Sequence, residues 1–87
     1  MLERIPHGSI LELRLARPPV NALNEALLTQ LADAIKAAPD EGYAALVLSG
    51  SPGIFSAGMD VPELLSRDRD GVGRSWSAFF AVCAALA

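Results

Sequence analysis

The sequence predicts an α/β fold, and three runs of residues predict it. In "SILELRLAR" (9–17), Ile10, Glu12 and Arg14 alternate with Leu11, Leu13 and Leu15, the period of two that marks a strand with one apolar face. In "NEALLTQLADAIKAA" (24–38), Leu27, Leu28, Leu31 and Ile35 recur at helical spacing, which puts them on one stripe of a helix. "YAALVLSG" (43–50) is short and continuously apolar, the pattern of a strand buried on both faces of a parallel sheet. Strand, helix and strand in this order make a βαβ-like unit with a right-handed crossover.

The remaining elements follow in chain order. "MLERIP" (1–6) is a first strand, joined to the second through His7 and Gly8, a break of hairpin type. Pro18 and Pro19 end the second strand, because proline has no N–H for the ladder. Asn24 is a good N-cap for the helix, Glu25, Thr29, Asp33 and Lys36 turn to water, and Pro39 stops it. The third strand is expected to run to about Phe55. "VPELLSR" (61–67) is a short helix with Pro62 and Glu63 in its first turn, both suited to a helix start. Asp60 is its natural cap, although Pro62 disfavours a helical Val61 and allows a start one residue later. "DRDGVGR" (68–74) reads as a charged, mobile loop. "SWSAFFAVCAALA" (75–87) reads as a last helix that packs through Trp76, Phe79, Phe80 and Cys83.

Composition bounds the function. Eighty-seven residues allow one small domain at most. The net charge of −3 and the single lysine, Lys36, leave no basic patch for nucleic acid. Cys83 is the only cysteine, which excludes an intrachain disulfide. No apolar export core follows the first charges, and the longest apolar run, "AFFAVCAALA" (78–87), is half the roughly 20 residues of a membrane span. A cytoplasmic location without membrane contact is therefore expected. The final apolar run carries no helix stop signal, so the chain is expected to be part of a longer one.

The stretch "IFSAGMD" (54–60) carries the chemistry. The amides of Gly58, Met59 and Asp60 are expected near a helix N-terminus, where N–H groups lack intrahelical acceptors. Gly58 leaves room for a ligand oxygen to reach the backbone. Such a donor, aimed at a carbonyl that becomes an enolate, is half of an oxyanion hole; spacing alone favours an ordinary turn. Asp60 and Glu63, three residues apart, read as a capping box rather than an acid/base or metal pair. His7 has no telling partner, Cys83 reads as core, and Asp68 and Asp70 beside Arg67 and Arg69 read as a solvated face.

Three motifs together resemble the N-terminal part of the crotonase (enoyl-CoA hydratase/isomerase) family: "RPPVNALN" (17–24), "ALVLSG" (45–50) and "FSAGMDVPEL" (55–64). Their order is the family's, and they cover about the first 65 residues. "SPGIFSAG" (51–58) looks most like the Δ3,Δ2-enoyl-CoA isomerases. The resemblance implies a crotonase-like ββα spiral, of which residues 1–87 form the N-terminal part of a single domain. It implies that the Met59 N–H is the first oxyanion donor to an acyl thioester. The backbone of Ala57, Gly58, Met59, Asp60 and Val61 is then implied to line the CoA site, and Arg17, near the CoA entrance, is a weaker candidate to meet a phosphate. The aromatic helix is implied to wall the acyl pocket, with the loop before it as a lid.

The expected function is a double-bond shift in an enoyl-CoA thioester through a stabilised enolate, within fatty acid metabolism. No metal or redox cofactor is implied, and CoA arrives as part of the substrate. A homo-oligomer, trimer or hexamer, is usual for the family. The second donor and the base are implied to lie outside these residues, so the segment alone is expected to be inactive. An enoyl-CoA hydratase, or an inactive CoA-binding or assembly module, is the alternative reading.

Overall fold

The computed structural model describes residues 1–87. The strands β1 (Leu2–His7), β2 (Ile10–Leu15) and β3 (Ala45–Ser49) form one mixed sheet in the order β1-β2-β3. Between β2 and β3 runs helix α1 (Glu25–Ala37), and after β3 come α2 (Val61–Ser66) and α3 (Arg69–Leu86). The hairpin pairs His7 with Ile10 and Leu2 with Leu15. β2 and β3 are parallel, with Leu13 opposite Leu48, as a strand-helix-strand connection requires. This is the α/β, ββα architecture expected.

Alternation in β2 decides where the core lies. Leu11, Leu13 and Leu15 are buried on one face of the sheet, and α1 covers them with Leu27, Leu28, Leu31, Ala32 and Ile35. Helix α1 begins where predicted: the Asn24 side chain accepts the Leu27 N–H at 2.8 Å, which satisfies one of the helix's free donors. Helix α3 packs along α1 and adds Val82 to the same core. The molecule measures 42 × 27 × 16 Å, so the opposite face of the sheet is left open. That face carries Glu12, whose carboxylate accepts from Ser49 Oγ at 2.5 Å and meets His7 Nε2 at 2.8 Å and Arg14 at 3.2 Å. His7 thus has an acidic partner, reached diagonally across the hairpin.

Several expectations are corrected. The run 43–50 is not buried on both faces: β3 pairs only with β2, Leu46 and Leu48 lean on the core, and Val47 is half exposed. An apolar run records no difference between a central strand and an edge. Nor does the strand reach Phe55. It ends at Ser49, and the chain folds back so tightly that a Cβ on Gly50 would lie 2.5 Å from the Phe55 carbonyl oxygen. Pro52 and Gly53 make the turn, closed by a bridge between Ser51 and Ile54.

The expected loop 68–74 is helix. Asp68 caps α3 by accepting the Gly71 N–H at 2.7 Å, and Asp68 is therefore a cap rather than part of a solvated face. The side of α3 that packs is its small-residue side: Gly71, Ser75 and Val82 are buried, with Ala78 and Ala85 against the core. Small side chains let two helices approach closely. Of the expected aromatic face, Phe79 alone leans on the core. Trp76, Phe80 and Cys83 are exposed, and the three rings pack on one another with centroids 5.7–6.4 Å apart. Glu25 is also drawn in from water: its carboxylate lies 3.3 Å from Arg67 and 3.6 Å from Arg74, joining the start of α1 to α3.

Candidate functional site

Beyond the sheet, residues 17–24 and 51–60 run side by side. Arg17 and Asn21 close the first segment reciprocally: the Asn21 N–H donates to the Arg17 carbonyl, and the Arg17 N–H donates to Asn21 Oδ1, both at 2.8 Å. The second segment is then sewn to the first. Ala57 N–H donates to the Val20 carbonyl at 2.9 Å, Leu23 N–H to the Gly58 carbonyl at 2.8 Å, and Asp60 N–H to the Leu23 carbonyl at 2.9 Å. Leu23 and Met59 thereby form a single parallel bridge.

This bridge orients the Met59 amide. In a trans peptide the C=O and the following N–H point in opposite directions. The Gly58 carbonyl points to Leu23, so the Met59 N–H points away from it. The amides around it are engaged: Ala57 with Val20, Gly58 with Ser56 Oγ at 3.0 Å, and Asp60 with Leu23. The Met59 N–H has no acceptor within the chain. Of the amides expected to be free, those of Gly58 and Asp60 are not. Ser56 takes the first, and the bridge to residues 20–24 takes the second. Gly58 has φ +97°, and a Cβ there would meet nothing within 4 Å. The conformation demands glycine, and the space beside the backbone is open.

The helix end contributes less than its sequence suggests. α2 has six residues, and its Glu63 N–H is already taken by Asp60 Oδ1 at 3.0 Å. Only half of the capping box forms. Glu63 does not return to the Asp60 N–H, which Leu23 holds; its carboxylate lies 3.4 Å from the Glu25 N–H. Asp60 Oδ2 instead meets Arg17 at 2.8 Å, and the same Arg17 nitrogen donates to the Ala22 carbonyl at 2.8 Å. The Glu63 N–H, and then Arg17, hold the Asp60 carboxyl below the usual carboxylate range. Arg17 is therefore neither a freely solvated side chain nor an uncommitted cation. Ala57 and Val61 are exposed at either end of the segment.

Asn21 was not singled out by its sequence context, yet it is completely buried, with φ +53°. Its Nδ2 donates to the Phe55 carbonyl at 2.9 Å and to Ser51 Oγ at 3.2 Å, and its carbonyl accepts from Ser56 Oγ at 2.7 Å. The available signal was an asparagine just after two prolines, since Asn tolerates left-handed φ and bonds nearby backbone. The clearest apolar hollow, about 360 Å³ between Pro39, Tyr43 and Leu86, lies at the other end of the sheet from Met59.

Known proteins share this arrangement of chain. A family described as enoyl-CoA hydratase/isomerase matches residues 6–86. Over 56 residues, 63% of this chain and 8% of the relative, the sequence is 41% identical to the peroxisomal bifunctional enzyme of Pongo abelii. It is 30% identical over 80 residues to the mitochondrial enoyl-CoA delta isomerase 1 of Rattus norvegicus, covering 90% of this chain and 28% of that protein. The solved structure of Pseudomonas aeruginosa DspI superimposes with a TM-score of 0.88 at 28% identity, over 98% of this chain and 36% of that one. The chain thus spans less than a third of the curated relatives it matches. With the family pattern matched from strand β1 to the end of α3, the chain belongs to the enoyl-CoA hydratase/isomerase family.

Proposed function

We propose that this chain supplies one oxyanion donor of an acyl-CoA site, in an enzyme that shifts the double bond of an enoyl-CoA thioester. The observation that carries this reading is the Met59 N–H, left without an acceptor between amides that are engaged. A thioester carbonyl oxygen placed on that N–H gains a fixed donor as it becomes an enolate oxygen. Because the donor is held before the reaction, little reorganisation is needed as charge develops. A base removes a proton from C2 of a 3-enoyl thioester. The electron pair spreads over C2 to C4 and the thioester oxygen, and reprotonation at C4 leaves the double bond conjugated. CoA enters and leaves with the acyl group. Residues Ala57, Gly58, Met59, Asp60 and Val61 line the thioester and its CoA arm. Arg17 serves that segment through Asp60 rather than by reaching a phosphate.

The base and a second donor are not assigned among these 87 residues. Asp60 and Glu63, the acids nearest Met59 in sequence, are held as a cap and beside the Glu25 N–H. That engagement favours, as a second reading, a CoA-binding module without turnover. The isomerase reading is favoured over hydration by the "SPGIFSAG" turn and by the 80-residue match to the rat delta isomerase. We place the protein in an oligomer, as its exposed Trp76, Phe80 and Leu65 support.

The test is incubation with 3-hexenoyl-CoA, following the ultraviolet absorbance of the conjugated thioester. A rise supports isomerisation. Loss of absorbance from added 2-hexenoyl-CoA indicates hydration. Binding without either change leaves the module reading.

A further inference from the structure

We propose that Asn21 is the positioning residue of the Met59 amide, holding it in the outward orientation that leaves it free. The inference rests on the reading of that amide as an oxyanion donor, but its structural part is measurable without any reaction. Asn21 is a costly residue to place here. It is completely buried, so its primary amide has left water, and its φ of +53° lies in the left-handed region that side chains disfavour. Nothing in the core calls for it, since none of its hydrogen bonds goes to α1, α3 or the sheet.

All of its bonds serve two loop segments instead. Oδ1 and the backbone N–H close the turn on Arg17, Nδ2 holds the Phe55 carbonyl and Ser51 Oγ, and the Asn21 carbonyl accepts from Ser56 Oγ. Ser56 Oγ in turn accepts the Gly58 N–H, one residue before Met59. The left-handed turn at Asn21 also aims its neighbours: the Val20 carbonyl meets Ala57 N–H, and the Leu23 N–H meets the Gly58 carbonyl. The peptide unit between Gly58 and Met59 is therefore fixed through its carbonyl, with the loop before it fixed by Asn21. Its N–H has one direction left.

The test compares the isotope-labelled protein with Asn21→Asp by residue-resolved amide exchange and by titration with butyryl-CoA. Aspartate keeps the size, the tolerance of left-handed φ and the acceptor for the Arg17 N–H. It places an oxygen where Nδ2 donates to Phe55 and Ser51. Ala57 and Asp60 are the reporters, because their own acceptors, Val20 and Leu23, are untouched. Their exchange is expected to accelerate roughly tenfold or more, the scale of one lost buried hydrogen bond, while Leu28 and Leu31 in α1 stay protected. The shift of the Met59 amide resonance on adding butyryl-CoA is expected to shrink.

Unchanged exchange at Ala57 and Asp60 in a folded Asn21→Asp protein overturns the proposal. If that variant does not fold, Ser56→Ala replaces it. It breaks only the link from the Asn21 carbonyl to the Gly58 N–H, and unchanged exchange at Ala57 again overturns the proposal. If the Met59 resonance ignores butyryl-CoA in the unaltered protein while Ala57 exchange rises in the variant, positioning stands and the acyl-CoA reading fails.

Discussion

Asp60 uses its two carboxylate oxygens in two directions: Oδ1 takes the Glu63 N–H at 3.0 Å, and Oδ2 meets Arg17 at 2.8 Å. One side chain thus starts α2 and ties it to the turn that carries Asn21. An asparagine side chain at this position would still cap the helix but would lose the ion pair, whereas alanine loses both. Thermal melts are therefore expected to rank the native chain above Asp60→Asn, and Asp60→Asn above Asp60→Ala. Equal melting temperatures for the two variants would show that the cap contributes nothing.

Gly58 is expected to resist the smallest substitution. At φ +97° a side chain is strained although the space around it is empty. Gly58→Ala should cost more than about 1 kcal/mol in denaturant unfolding. In the proposed reaction it should lower turnover at least tenfold through kcat, because the strain is relieved by turning the peptide that bears the Met59 N–H. The loss of a whole oxyanion donor, about 10²–10³-fold, is the upper bound.

The open face of the sheet gives an acid-sensitive element. Ser49 first, then His7 and Arg14, hold the Glu12 carboxylate at about 2, below its ordinary 4.5. The unfolded chain therefore takes up this proton before the folded one does. The stabilisation is complete above about pH 4.5 and is lost as pH falls from there through about pH 2. Denaturant midpoints measured over that window should decline, and Glu12→Gln should remove part of the slope. Ser49→Ala should raise the carboxyl toward its ordinary value.

Leu13 and Val47 sit on neighbouring strands, yet their truncations should differ sharply. Leu13 is wholly buried beneath α1, whereas Val47 is half exposed on the outer strand. Leu13→Ala is expected to cost about 2–5 kcal/mol, a large share of the roughly 5–15 kcal/mol that holds a domain folded. Val47→Ala should change stability by about 0.5 kcal/mol or less. Chemical denaturation of both separates the two roles.

The outer face of α3 can be read with a thiol reagent. Cys83 is exposed, so it should react in the native monomer at nearly the rate of the denatured chain. Protection that disappears on dilution would place this face in a contact between copies.

Most of the fold was legible because its elements carry local signals. The leucines of β2 repeat every second residue, Asn24 and Asp60 sit where caps belong, and two prolines end the second strand. What was missed depends on partners distant in sequence. The edge position of β3 is decided by which strands flank it, and an apolar run does not record that. On α3 the large residues suggested the packing face, but closeness to α1 selects Gly71, Ser75 and Val82 and turns Trp76 and Phe80 outward. Met59 was legible through the family pattern. The reason its amide is unpaired between two engaged neighbours lies in Leu23, and Asn21, 34 residues from the Phe55 carbonyl it holds, had no signal beyond its place in the turn.

The sheet has two unequal borders. β1 is guarded along its length by Glu3, Arg4 and Pro6, two charges and a missing N–H that discourage a neighbouring strand. β3 is "ALVLS", with no charge and no proline. The sheet can therefore be extended by another strand at β3 and is closed to extension at β1. When β3 is left uncovered, that same border is where separate copies are most prone to stick together.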